Sequence, residues 1–217
     1  MPLLTSHQVL DIRFPTSESL DGSDAVHTDP DYSAAYVILR TNQPGLEGHG
    51  LTFTCGRGTE LVVAAAELLC RMLAGTSLDN ITQDFAAWWR RLTSDSQLRW
   101  IGPEKGVVHL ATAAVVNAIW DLWAKVEGKP LWKLLADMPA EQLVSTIDFR
   151  YLADVLTPAD ALTILKANDP TRGEREAELH RTGFPAYTTS TGWLGYPDEK
   201  ITHLVREGIA AGWNHFK

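Results

Sequence analysis

Two features of the chain could do chemistry. The first lies in residues 15–31, seventeen positions without periodicity that carry Asp21-Gly22-Ser23-Asp24 and then His27-Thr28-Asp29-Pro30-Asp31, with Tyr32 directly after. Carboxylates, hydroxyls and an imidazole on one loop suit hydrogen bonding to a polyol, and loops this long inside a compact domain are usually functional or disordered. A solvated cluster of acidic turns is the competing reading on pattern alone. The second feature is Lys217, at the end of a β-prone stretch, which in most proteins would be an ordinary surface lysine. Spacing alone names no reaction for either. The seven histidines form no metal-ligand spacing. His109 falls within a helical apolar pattern and reads as a hydrogen-bonded core residue, His203 and His215 as surface residues. Gly48-His49-Gly50 begins like a dinucleotide fingerprint, but Phe53 stands at the third glycine position, so hairpin-edge glycines are the better reading.

The elements that must position these residues can be read from periodicity. Residues 7–14, 32–40 and 47–54 alternate or run β-rich between turn signals, and the short link after the second predicts an antiparallel hairpin. Helices follow. Leu61, Ala65, Leu68, Leu69 and Met72 recur on one face, with Thr59 as cap and Gly75 as stop. Ile81, Phe85, Trp88 and Leu92 repeat that spacing. A third helix opens at Gly102-Pro103-Glu104 and runs to Glu127, apolar over most of its circumference, which predicts packing on several sides. A short helix covers residues 131–138. Beyond it come a short strand at Ile147-Asp148-Phe149, helices over 158–167 and 171–182, a strand over 186–190, a helix over 198–211 and the start of a strand at 214–217. Strands then helices is an α+β order, and the final strand–helix–strand is a βαβ unit whose parallel strands need partners. A strand begun without a partner suggests the front of a longer protein.

The 217 residues are 45% hydrophobic and 21% charged, which excludes collagen-like and strongly disordered chains. A net charge of −8 argues against a nucleic-acid footprint. No uninterrupted run of about eighteen apolar residues marks a membrane span. Cys55 and Cys70 read as reduced, buried small hydrophobes, with the cytoplasm as default compartment and an organelle matrix as the alternative. Clustered tryptophans, among them Trp88, Trp89, Trp120 and Trp123, read as core packing rather than a sugar-stacking platform.

Taken together, several runs resemble the L-fuconate dehydratases, in the mandelate racemase-like branch of the enolase superfamily. They are Asp11-Ile12-Arg13-Phe14-Pro15-Thr16-Ser17, Asp21-Gly22-Ser23-Asp24-Ala25, residues 28–36, 92–107 and 147–151, and Phe184-Pro185-Ala186-Tyr187-Thr188-Thr189-Ser190 with Trp193-Leu194-Gly195-Tyr196. Asn117-Ala118-Ile119-Trp120-Asp121-Leu122 and Gly128-Lys129-Pro130-Leu131-Trp132 are typical of the wider superfamily. The resemblance implies an α+β capping domain (three-stranded antiparallel sheet plus helical bundle) over residues 1–137. A subgroup insertion would cover 138–185, and the start of a TIM-type (β/α) barrel, cut within its second strand, would cover 186–217.

The same resemblance implies a hydro-lyase. In that family Mg²⁺ binds the carboxylate of a sugar acid, and the second lysine of a Lys-x-Lys pair removes the neighbouring proton. A histidine then assists loss of the 3-hydroxyl, giving the 2-keto-3-deoxy acid. Lys217 would be the first lysine of the pair, holding substrate charge and keeping the base's pKa low, since a neighbouring cation disfavours protonation. Gly22, Ser23, Asp24 and Tyr32 match cap positions that meet substrate. No catalytic base, acid histidine or metal ligand falls within the chain, so the 217 residues alone are expected to be inactive and poorly behaved. Expected partners are a small acid sugar and, at full length, further copies in a homo-oligomer, with neither nucleic acid nor membrane. A dehydratase for galactonate or rhamnonate, or a non-catalytic sugar-acid-binding cap, remains open beside L-fuconate dehydration.

Overall fold

A computed structural model describes residues 1–102 and 105–217. Strands β1 (Leu4–Arg13), β2 (Ser33–Thr41) and β3 (Glu47–Thr54) form one antiparallel sheet in the order β1-β2-β3. On β2, Ser33, Ala35, Val37 and Leu39 are buried in strict alternation, which sets one sheet face toward the helices. On β3 the inward positions are Gly48, Gly50 and Thr52, while Leu51 and Phe53 point outward and stay exposed.

The helices cover the inward face. They are α1 (Thr59–Arg71), α2 (Leu78–Gln83), α3 (Phe85–Thr93), α4 (Leu98–Ile101) and α5 (Val107–Val126), followed by α6 (Leu131–Asp137) and α7 (Ala140–Ser145). Helix α5 is the axis of the core: eleven of its residues are buried, and it packs on β2, β3, α1, α3 and α6. Among the described residues it is the one helix long and apolar enough to cross a membrane by length and composition, although His109, Asn117 and Asp121 interrupt the run. Here most of that stretch is buried against the sheet and the other helices, with Leu110 and Val126 left exposed. Its expected opening at Gly102-Pro103-Glu104 lies partly outside the described residues, at Pro103 and Glu104.

Four local expectations are corrected. Thr59 does not cap α1: Gly58 stands at the cap with φ +93°, and the buried Thr59 hydroxyl donates to Gly56 O at 2.6 Å. That fixed first residue turns the helix so that Val62, Ala65, Ala66, Leu69 and Cys70 face inward, leaving Leu61 and Leu68 exposed. The second helical stretch breaks at Asp84, whose carboxylate accepts from Ala87 N and starts α3. Residues 147–149 form no strand. Asp148 accepts from Arg150 N and a 3₁₀ turn follows at Phe149–Tyr151, a side-chain-to-backbone bond that competes with sheet pairing. Cys55 is exposed, whereas Cys70 is buried and its thiol is pushed up to about 12 by burial.

The later part of the chain is lightly packed. Helix α8 (Pro158–Asn168) starts on a capping box between Thr157 and Asp160, and α9 (Arg172–Thr182) buries no residue. Residues 186–190 and 214–217 meet only through one parallel bridge, Thr188 with Phe216, with Thr188 N donating to His215 O and Lys217 N to Thr188 O. Between them α10 (Asp198–Ala210) buries nothing, and Ile209 and Trp213 are exposed. An isolated pair of strands has too little buried surface to extend into a ladder.

Candidate functional site

The loop after β1 is an ordered structure built from its own polar groups. Phe14 N donates to Tyr32 O, Thr16 Oγ1 donates to Pro30 O and accepts from Tyr32 N, and the Ser17 hydroxyl donates to Asp31 at 2.6 Å. These bonds close the base of the loop, and a 3₁₀ turn at Thr16–Glu18 starts its first arm. The tip folds around Asp24, whose Oδ1 accepts from Val26 N and His27 N at 2.7 and 2.6 Å. Those backbone donors, with the His27 ring, hold the Asp24 carboxyl below the usual carboxylate range.

The loop is pinned to the segment just before α10. The buried Ser23 hydroxyl donates to Leu20 O at 2.8 Å and accepts from Gly195 N at 2.9 Å, while Leu194 N donates to Ser23 O. Asp21 accepts from Ser19 Oγ at 2.6 Å and from the Tyr196 phenol, with Lys200 Nζ at 3.5 Å from its carboxylate and 3.5 Å from the Tyr196 ring centre. The Ser19 hydroxyl first, then Tyr196 and Lys200, hold the Asp21 carboxyl low. Burial, and then the Asp21 bond, push the Tyr196 phenol up.

A group whose folded pKa is depressed favours folding above its unfolded value and loses that favour as the pH falls through the folded value. The carboxylate part of the pin is therefore fully present above about pH 4, the ordinary Asp value, and is lost as the pH falls through the lower folded value of Asp21, while the bonds of Ser23 to Gly195 and Leu194 do not titrate. Tyr196→Phe is expected to weaken it by about 1 kcal/mol, read as faster limited proteolysis within residues 15–31 at neutral pH. Proteolysis unchanged from the parent would show that this bond does not hold the loop.

The sequence-derived site residues fall into two places. Gly22, with φ +81°, lies against Tyr32: a Cβ there would overlap the phenol ring, so glycine is what lets the tyrosine lie across the loop. Tyr32 also meets Phe53 edge-on at 4.9 Å, and burial followed by nearby acidic groups raises its phenol pKa. Ser23 is 2% exposed and engaged in the pin, while Asp24 stands exposed at the tip. Lys217 is exposed, with Nζ 5.9 Å from the Tyr187 ring centre. Lys200 went unnoticed in the sequence: its hydrogen-bond partners are about 180 positions away, and the Tyr196 ring beneath it four positions earlier gives no signal in one dimension. Among the described residues no three His, Cys, Asp or Glu side chains gather as a metal site.

A three-stranded antiparallel sheet backed by helices, with a long polar loop leaving its first strand and resting on the segment before α10, defines an enolase-type capping domain. Residues 23–136 match the family model of the mandelate racemase / muconate lactonizing enzyme N-terminal domain, and the chain belongs to that family. It is 59% identical over 210 residues to Mitochondrial enolase superfamily member 1 of Bos taurus, covering 96% of this chain and 47% of the bovine protein. With L-galactonate dehydratase of Hypocrea jecorina it shares 50% identity over 215 residues, 99% of this chain and 48% of that enzyme. The crystal structure of human Mitochondrial enolase superfamily member 1 superimposes with TM-score 0.94 at 55% identity, covering 98% of this chain and 48% of the human chain. L-talarate/galactarate dehydratase from Salmonella typhimurium LT2, solved with Mg and L-lyxarohydroxamate, shares the fold with TM-score 0.63 at 17% identity, over 99% of this chain and 43% of that one. The chain thus spans about half the length of the relatives it matches.

Proposed function

We propose that the chain is the N-terminal part of an acid-sugar dehydratase, with L-fuconate as substrate. Residues 1–137 would be its cap, 138–185 an insertion and 186–217 the opening of the barrel. The observation that supports this reading is the ordered polar loop of residues 15–31 resting on residues 193–200, which sets hydroxyl- and carboxylate-bearing groups against the segment read as the barrel opening. In this reading Asp24 and the Tyr32 phenol take sugar hydroxyls, and Gly22 and Ser23 fix their positions. A buried polar group left without a substrate hydroxyl costs about 1–3 kcal/mol, which is the basis for discrimination. Lys217 takes the charge developing at the substrate carboxylate. The residues described here supply no metal site, so the proposal assigns the Mg²⁺ ligands, the base and the acid histidine to the half of the full-length relatives that this chain does not span. The mitochondrial names of the bovine and human relatives speak for the matrix alternative.

The Hypocrea jecorina relative favours L-galactonate as the second substrate. L-fuconate is L-galactonate lacking the 6-hydroxyl, so the two readings differ by one group. Full-length protein with Mg²⁺ is expected to convert L-fuconate, and L-galactonate more slowly, to keto acids detected with semicarbazide. A reversed preference replaces the substrate, and no keto acid from any acid sugar in a panel ends the dehydratase reading. Calorimetric binding of those acids without turnover would instead mark a non-catalytic cap.

A further inference from the structure

We infer that a cleft of about 510 Å³ between α3, α5 and residues 146–152 binds a planar aromatic acid that carries one N–H or O–H donor. The cleft shares no residue with the 15–32 loop or Lys217, so the inference stands apart from the dehydratase reading. Its volume lies within the range of about 300–1,000 Å³ typical of small-molecule sites. The walls are rings: Phe85, Trp89, Trp120 and Tyr151 all line it. Phe85 lies 4.4 Å from Trp120 with the two planes tilted by 35°, and Trp120 stacks on Trp123 behind it at 5.1 Å, so the Trp120 ring in this wall is held in place. A second aromatic ring gains most against such a surface.

The polar groups set the rest of the ligand. His109 was expected to be a satisfied core histidine, but its buried Nδ1 has no hydrogen-bond partner. An orphaned buried polar atom is uncommon in native proteins, and this one belongs to a side chain lining the cleft. Asp148 is no free counter-ion: Arg90 lies 3.1 Å from its Oδ1 and Arg150 Nε 2.9 Å from Oδ2. Its Oδ2 can still accept from a neutral donor with better geometry. Lys105, exposed at the cleft with Nζ 5.6 Å from the Tyr151 ring centre, adds a further cation. Arg90 and Arg150 offset the Asp148 carboxylate, and Lys105 lines the cleft itself, so its described charges favour an acid over an amine.

Calorimetry with the full-length protein at neutral pH tests this with indole-3-acetate, 1-naphthylacetate, which lacks the donor, and tryptamine, which carries a cation. Saturable one-to-one binding of indole-3-acetate is expected, about tenfold weaker for 1-naphthylacetate and absent for tryptamine. Lys105→Gln should weaken indole-3-acetate about tenfold with the unfolding midpoint unchanged. Trp89→Leu should abolish binding. The proposal is overturned if no ligand saturates, if tryptamine binds as tightly as the acid, or if Lys105→Gln binds like the parent.

Discussion

In the full-length protein, Lys217→Ala is expected to lower kcat by about 10²–10³-fold, the scale seen when one group stabilising a developing oxyanion is removed. Stability should not change. The Lys217 side chain is exposed and its one aromatic neighbour is the Tyr187 ring, while its place beside Thr188 is held by the backbone N–H, which alanine keeps. A second effect follows from charge. Losing a cation beside the proposed base lets that base hold its proton more tightly, so the acidic limb of the kcat–pH profile should move to higher pH. Lys217→Arg should restore part of the rate by keeping the charge while misplacing it. A Lys217→Ala enzyme within tenfold of the parent, with an unshifted profile, would remove Lys217 from the site.

Gly50→Val is expected to destabilise the domain by about 3 kcal/mol, at the upper end of overpacking costs. Gly50 faces Val37 across the sheet and lies directly under α5. A Cβ there would run into Ala114 O and Ala118 N and come within 2.9 Å of Asn117 C, all main-chain atoms that cannot rotate aside. Gly48 has the same relation to Ala118 O, with Leu122 Cβ at 2.8 Å. The substitution must lift α5, the most buried helix, away from β3. Gly45→Ala is the control: φ is +79° but nothing lies within 4 Å, so only left-handed strain of about 1 kcal/mol applies. Urea unfolding of both variants in the same background checks the difference. Equal losses at the two positions would mean that contact with α5 does not set the glycine requirement.

The two glycines show where reading the sequence falls short. Gly48-His49-Gly50 looked like hairpin-edge flexibility, because a glycine carries no side chain from which a neighbour can be inferred. Only the approach of α5, over sixty residues later, gives them a reason. His109 failed similarly: the apolar pattern around it was legible, but that Nδ1 has no partner emerged only from the folded surroundings. Exposure of Cys55, just beyond the end of β3, left no trace in composition. Asp84 and Asp148 were misread because their side chains capture nearby backbone N–H groups, a local competition that apolar periodicity does not register.

By itself the sequence determined the strand-then-helix order, the three strands with an antiparallel hairpin of the second and third, the all-round apolar character of α5 and the polar make-up of the 15–31 loop. Each of these follows from interactions within a few residues or from a repeating period, and such signals survive in one dimension. The tertiary structure alone decided that Ser23 and Asp21 are engaged with Gly195, Tyr196 and Lys200, that Gly22 yields its space to Tyr32, and that the buried His109 Nδ1 is left without a partner beside an aromatic cleft. Those facts depend on which distant surfaces meet, and burial and directional hydrogen bonds become defined only once the chain has closed on itself.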